Sequence, residues 1–303
     1  MPELPDVEVY VQRLRALVQG QELLGVRLGN PFVLRTYDPP LEAARGQRVL
    51  GVRRLGKRIV LQLQGELFLI LHLMIAGRLR WREAGAAVPK KVGHAVFDFP
   101  NGALCFTEAS TQKRASLHLV RGEASLAAHH RGGVEPLEVD RAAFGAALTR
   151  ERRTLKRALT DPRIFSGIGN AYSDEMLFWA QLSPIKLTTA LSEVEIDRLY
   201  VACRQTLREW TRLLLNEVGE GFPDKVTAFR EEMAVHGRYG QACRVCDTAV
   251  QRIRYAANEV NYCPTCQTEG KLLADRSLSR LLRGDWPRSL EELEEQTERR
   301  REP

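Results

Sequence analysis

Four cysteines near the C-terminal end constrain this chain more than any other feature. Cys243 and Cys246 form one pair, Cys263 and Cys266 a second, and sixteen residues separate them in the pattern C-x2-C-x16-C-x2-C. Paired thiolates at this spacing are a metal-binding signature. Four thiolates satisfy tetrahedral Zn²⁺ and leave no open coordination position, so the predicted ion is a single structural zinc. Two disulfides would use the same residues, but a reducing compartment disfavours them. The intervening DTAVQRIRYAANEVNY alternates enough for two short strands, which predicts a zinc-pinned β-hairpin. Arg252 and Arg254 then share one face of that hairpin, because strand side chains have period two. There they can follow a phosphate backbone; a solvated charged face is the plainer alternative.

The rest of the 303 residues is long enough for two domains with their own cores. Pro5 suits the first turn of a helix, Val7, Val11, Leu14 and Val18 recur at helical spacing, and Gly20 offers a stop. RIVLQLQGELFLILHL reads as two strands around Gln64-Gly65, and HAVFDFPNGALCFTE as a hairpin turning at Asn101-Gly102. From about Arg150 the period changes. Ile196, Leu199, Cys203, Leu207, Trp210 and Leu214 trace a helical stripe that Ser192-Glu193-Val194-Glu195 opens as a capping box. These patterns predict an α+β multidomain chain. Residues 1–130 form an N-terminal β-sandwich with flanking helices, 131–235 a helical domain, 236–271 the zinc hairpin and 272–303 a charged helical tail. The loop near 120–133 is the expected linker. Cys105 and Cys203 are expected to pack as small hydrophobes.

Charge narrows the partner. Lys plus Arg number 45 against 38 Asp plus Glu, a net charge of +7. From Lys271 onward eight basic residues meet eight acidic ones, so the whole excess lies before it. A basic surplus favours a polyanion such as nucleic acid. No apolar run approaches the roughly 18 residues that would span a membrane. Pro and acids occupy the start of the chain, where a secretory signal would be basic. The expectation is a cytoplasmic, nucleoid-associated monomer with no membrane partner. SGIGNAYSDEMLFWA adds a glycine turn into a helix start, whose free N–H groups favour an anion, with Asn170 as a further donor.

Five ordered motifs across residues 2–270 resemble the bacterial formamidopyrimidine-DNA glycosylase and endonuclease VIII family: PELPDVE, RRLGKRIVLQL, HLMIAGRLRW, SGIGNAYSDE and the cysteine module. The resemblance implies a β-sandwich domain, a helix-two-turn-helix domain, a zinc finger, and a double-stranded DNA partner that contains damaged bases or abasic sites. It implies a bifunctional glycosylase and abasic-site lyase of base excision repair. Met1 is removed, and the amine of Pro2 attacks C1′, expels an oxidised purine or pyrimidine and cleaves the strand by β,δ-elimination through an iminium. Glu3 is the implied acid-base catalyst, and Lys57 holds a phosphate and assists elimination. His72, Met74 and Ile75 lie in the implied strand and wedge loop, and Met74 or Ile75 fills the space of the extruded nucleotide. Lys156 is implied near the damaged base, Asn170 at phosphates, and Glu175 in a supporting role.

The chain also departs from the family pattern. EASTQKRASLHL stands where the oxidised-purine branch has Asp-Pro-Arg-Arg-Phe-Gly, so Lys113-Arg114-Ala115 keeps the charge and loses the aromatic. Asn258 stands in place of the zinc-finger arginine, and a neutral amide loses charge-assisted strength. GEGFPDKVTAFREEM is shorter than the loop that covers the flipped base. A binder of damaged or kinked DNA with the same fold and no catalysis is the competing reading; the amine, carboxylate and lysine of the implied site count against it.

Overall fold

The computed structural model describes residues 1–223, 226–227, 229–255, 258–273 and 287–299. Helix α1 (Leu4–Val18) starts where a reciprocal capping box closes its first turn. The Glu3 N–H donates to Asp6 Oδ2 at 2.9 Å, and the Glu3 side chain accepts from the Asp6 backbone N–H. Pro5 stands in that turn, where its missing N–H is an orphan in any case. Val7, Tyr10, Val11, Leu14 and Val18 form one fully buried stripe, each worth roughly 1.5–3 kcal/mol relative to exposure. The chain then leaves the helix through Gly20 at φ +83°.

Two antiparallel sheets receive that stripe. One has the order β1 (Glu22–Leu23), β3 (Gln47–Leu55), β4 (Arg58–Leu63), β5 (Leu67–His72), β9 (Ser116–Arg121). The other has the order β2 (Gly25–Leu28), β7 (Gly93–Phe99), β8 (Gly102–Glu108), β6 (Gly77–Arg82). Period-two alternation sends Leu61, Leu69, Leu71, Leu79, Phe97, Leu104, Phe106 and Leu117 into the core they share with α1. The outer face of the five-stranded sheet has its own small core of Val60, Phe68, Ile70 and Val120, covered by Leu126 of helix α2 (Glu123–Ala127).

The second hairpin turns one residue earlier than its Asn-Gly pair predicts. Phe99 pairs with Gly102, which leaves Pro100-Asn101 as the turn, and Asn101 Nδ2 donates to the Leu17 carbonyl at 2.8 Å. Gly102 serves packing: a Cβ there would lie 2.4 Å from the Trp81 ring.

The remaining elements are α3 (Arg141–Thr149), α4 (Leu155–Thr160), α5 (Asn170–Trp179), α6 (Glu193–Val218), β10 (Gln251–Tyr255), β11 (Asn258–Tyr262), α7 (Pro264–Thr268) and α8 (Leu290–Arg299). The capping box of α6 is present: Ser192 N–H donates to Glu195 Oε2 at 2.9 Å, and Glu195 N–H to Ser192 Oγ at 3.3 Å. Cys105 and Cys203 are buried, and burial pushes the Cys203 thiol up to about 12. In the expected tail, Leu272 N–H donates to the Arg288 carbonyl at 2.9 Å, and much of the segment between lies outside the described residues.

The chain divides into two compact units, Met1–Gly133 with Leu207–Ala228, and Val134–Thr206 with Phe229–Pro303. The expected division at 130 and 235 differs from this in two ways. The segment from Leu207 belongs to the first unit, where Phe222 and Val226 join the sandwich core and Phe222 packs 5.6 Å from the Tyr10 ring. The cysteine hairpin belongs to the second unit and is not a module of its own. The expected linker holds the end of β9 and all of α2, and the boundary falls after it at Gly133. Gly102→Ala is expected to destabilise the first unit by about 1–3 kcal/mol through overpacking on Trp81, read as a lower urea midpoint by tryptophan fluorescence; an unchanged midpoint would show that the ring can move aside.

Candidate active site and metal centre

The capping box fixes where the chain begins. Pro2 and Glu3 are buried at the N-terminal end of α1, and Met1 is exposed. Lys57 sits at the tip of the β3–β4 hairpin, whose two-residue turn Gly56-Lys57 is closed by the Leu55–Arg58 pair. Gly56 has φ +60°, which a primed hairpin turn needs at its first central position. The charges of these groups meet at the chain terminus. Burial lowers the pKa of the Met1 α-amine, one residue ahead of Pro2; Glu3 opposes that shift, and Arg78 and Lys57 reinforce it.

Beside this site, His72 ends β5 and Met74 and Ile75 occupy the turn that follows. Burial, then Arg58 and Lys57, push the His72 imidazole down to about 4, so the ring is neutral at pH 7. Met74 has φ +52° and Ile75 is 60% exposed, so neither is a strand core residue. The turn is closed by the Gly77 N–H to the Leu73 carbonyl at 2.8 Å, and Arg78 Nη1 donates to the carbonyls of Ile75 at 3.1 Å and Gly77 at 2.7 Å. Sequence reading missed Arg78, which is visible only once the turn brings those carbonyls back to it.

A second loop, 109–115, presents exposed Lys113 and Arg114 and buries Ala115. Glu108 anchors it. Its carboxylate accepts from the N–H of Arg114 and of Ala115, both at 3.2 Å, and from His94 Nε2 at 2.8 Å. Burial raises the Glu108 carboxyl, but the His94 bond and the two N–H donors outweigh it and hold the pKa below its ordinary value. Phe32 N–H donates to Asn30 Oδ1, which turns Asn30 Nδ2 toward His94 Nδ1 at 3.1 Å and leaves Nε2 as the imidazole donor. Lys113 Nζ donates to the Glu108 carbonyl.

In the second unit one buried carboxylate, Asp174, holds the predicted Lys156. Asp174 Oδ1 accepts from Lys156 Nζ at 2.5 Å, and Oδ2 from His236 Nδ1 at 2.7 Å and the Asn261 N–H at 3.2 Å. Lys156 also donates to the Asn170 carbonyl at 2.6 Å, and its side chain is 9% exposed. The structure places Lys156, expected near a base, as a buried cation that holds the start of α5. Asn170 opens α5 and donates through Nδ2 to the Glu259 carbonyl at 2.7 Å. Glu175 accepts from the N–H groups of Ala234, Val235 and His236 at 2.7, 2.9 and 3.0 Å, a supporting role as expected. Burial raises the Glu175 pKa against the pull of those three donors. Asp174 and His236 were not singled out from sequence: an Asp inside a helical run carries no pattern that marks it as buried.

The cysteine hairpin forms as predicted, with Gln251 opposite Tyr262 and Tyr255 opposite Asn258. Arg252 Nη1 lies 3.2 Å and Arg254 Nε 3.6 Å from Glu259 Oε2, so two cations share one carboxylate. Arg252 also lies over the Tyr239 ring at 4.0 Å, whereas Arg254 is 63% exposed. The side chain of Asn258 lies outside the described residues. The ligand atoms of Cys243, Cys246, Cys263 and Cys266 all lie within 4.8 Å of one another, with Sγ···Sγ separations of 3.4, 3.5 and 3.9 Å. A tetrahedron with metal–sulfur bonds near 2.3 Å needs edges of about 3.8 Å. Val245 N–H and Cys266 N–H each approach a cysteine sulfur at 3.5 Å, which favours the thiolate form a metal needs. These four residues can therefore bind a metal ion.

A model of the formamidopyrimidine-DNA glycosylase N-terminal domain matches residues 1–114, and a model of the H2TH domain of the same glycosylases matches residues 133–213. The chain belongs to the formamidopyrimidine-DNA glycosylase family. The formamidopyrimidine-DNA glycosylase of Thermus thermophilus is 35% identical over 281 residues, covering 89% of this chain and all of the relative. That of Desulfitobacterium hafniense is 32% identical over 279 residues, covering 88% and 100%. Among solved structures, the Lactococcus lactis glycosylase bound non-covalently to DNA with an AP site has a TM-score of 0.77 at 25% identity, covering 88% of this chain and 99% of that one. The same enzyme with Fapy-dG DNA has a TM-score of 0.78, at 25% identity and with coverage of 88% and 100%. Within this family fold, Asp174→Ala is expected to destabilise the second unit by about 3–5 kcal/mol, because it leaves the Lys156 ammonium buried without its carboxylate. Urea unfolding would measure the loss, and His236→Gln should cost less because an amide retains a donor.

Proposed function

We propose that this chain is a bifunctional DNA glycosylase and abasic-site lyase of base excision repair, acting on oxidised bases in double-stranded DNA. The observation that carries the reading is that Pro2 and Glu3 are buried side by side at the start of α1, where the charge of Lys57 acts on the chain terminus, in a chain that belongs to this glycosylase family. Removal of Met1 would leave the Pro2 nitrogen as the nucleophile. Its lone pair forms a bond to C1′ while the glycosidic C–N bond breaks; the base leaves with that electron pair and takes up the proton that the nitrogen sheds. Glu3 donates a proton at the sugar ring oxygen as the ring opens. The resulting iminium acidifies C2′; loss of that proton expels the 3′ phosphate, and a second elimination expels the 5′ phosphate. Lys57 holds a phosphate during these steps.

Met74 and Ile75 fill the space left by the extruded nucleotide, and the presence of a left-handed residue in an exposed loop supports that reading. His72, Lys113, Arg114, Asn170 and Arg254 hold phosphates, with Arg252 sharing its charge between Glu259 and the backbone. Lys156 positions Asn170. The ion in the cysteine site is Zn²⁺, which closes four thiolates into one knot and holds the hairpin that carries the arginines.

Borohydride reduction of the iminium is expected to crosslink the protein to abasic-site DNA, with yield reduced by Pro2→Gly and abolished by retention of Met1. A crosslink indifferent to blocking the terminus would overturn the mechanism. A nearby cation disfavours the protonated form of an amine, so Lys57→Met should move the midpoint of the pH–trapping profile to higher pH. Chelation or Cys263→Ser should weaken DNA binding well before it unfolds the first unit.

A further inference from the structure

Next to Lys57 and His72, which are assigned to phosphate above, the outer face of the five-stranded sheet carries Arg58, His118 and His129, which that assignment leaves unused. Strand alternation puts Arg58 of β4, His72 of β5 and His118 of β9 on the face of Val60, Phe68, Ile70 and Val120. Arg58 and His72 are direct partners in register, and His118 stands opposite Ile70, next to them. After α2 the chain returns over this face. Arg58 Nη1 donates to the His129 carbonyl at 3.1 Å, and the His129 ring meets the His118 ring edge to face, with centroids 4.7 Å apart. Arg131 follows, exposed. Arg35 is held alongside β9 by its N–H to the Leu117 carbonyl at 2.9 Å.

The charges that act on these groups are of one sign. His72 feels Arg58, Lys57 and Arg131; His118 feels Arg58 and Arg35; His129 feels Arg58 and Arg131. Glu123, the acid at the start of α2, is engaged with Arg53 at 2.7 Å. Gathering Arg35, Lys57, Arg58 and Arg131 around three imidazoles opposes folding by self-repulsion, and an external anion relieves it. A neutral interior role does not account for the exposed Arg131 and Arg35 at the rim.

We propose that Arg58, His118, His129 and Arg131 form a phosphate-binding patch that extends the grip of this unit along the DNA backbone. The proposal rests on the DNA-repair reading above. Guanidinium groups take phosphodiester oxygens in paired hydrogen bonds, and the imidazoles add N–H donors. In the free protein, burial and the neighbouring rings and cations hold His118 down to about 4, so its ring is neutral at pH 7. A phosphate at hydrogen-bond distance stabilises the charged ring and raises that pKa. Binding therefore takes up protons, and affinity rises as pH falls.

The test uses the full chain and a fluorescent duplex with a tetrahydrofuran abasic analogue, followed by anisotropy. Between about pH 7.5 and 5.5 the wild-type affinity should rise by up to about tenfold per pH unit for each proton taken up. The double variant His118→Gln, His129→Gln should lose part of that dependence, with His72 supplying the remainder. Arg131→Ala, at an exposed position that folding tolerates, should lower the slope of log Kobs against log salt by about 0.9. Both variants should still give the borohydride crosslink at saturating DNA. If the rings and Arg131 only pack or solvate, melting temperature can change while both slopes stay at wild-type values, and that result overturns the patch. A wild-type chain that binds no DNA overturns the functional reading itself, a different outcome from variants that bind as the wild type does.

Discussion

Helix α1 is the element on which the proposed chemistry depends. A reactive group at a chain end is ordinarily lost to fraying, because the last residues have little to hold them. Here a buried stripe from Val7 to Val18 ties the helix into the sandwich core, and the Glu3–Asp6 capping box fixes the residue just outside its first turn. The hydrophobic term supplies the energy, and the two capping bonds supply the direction. The tip of the β3–β4 hairpin and the start of β6 carry Lys57 and Arg78, whose charges act on the chain terminus.

The second unit solves a similar problem with a buried charge. Asp174 is fully enclosed and gathers an ammonium, an imidazole and a backbone N–H from three separate stretches of chain. A buried carboxylate is costly alone, so the three segments are held together by the penalty for separating them. Glu175 does the same for the 234–236 strand of chain with neutral donors. The cysteine hairpin is thus fastened to the start of α5 by polar bonds.

Much of this was legible in the residues, for reasons that differ by element. The helix spacing of Val7, Val11, Leu14 and Val18, the Ser192–Glu195 box and the cysteine spacing are local signals, and each matches what the fold shows. The Asn101-Gly102 turn was placed one residue late because Gly102 answers to Trp81, a residue 21 positions away in sequence. The unit boundaries were missed for the same kind of reason: nothing local in Phe222 or Val226 says that they return to the sandwich core. Lys156 illustrates the limit for sites. Its type suggested contact with a ligand, and only the position of Asp174 shows that its charge is spent inside the protein.

Under the wedge role proposed for it, the left-handed backbone at Met74 has a kinetic meaning. A non-glycine residue pays for that conformation during folding, and Arg78 and Gly77 clamp the turn around it before any partner arrives. A probe that inspects a long polymer must test very many sites briefly. A tip already rigid can press against each one without first losing disorder, so the search is limited by the give of the polymer and not by rearrangement of the probe.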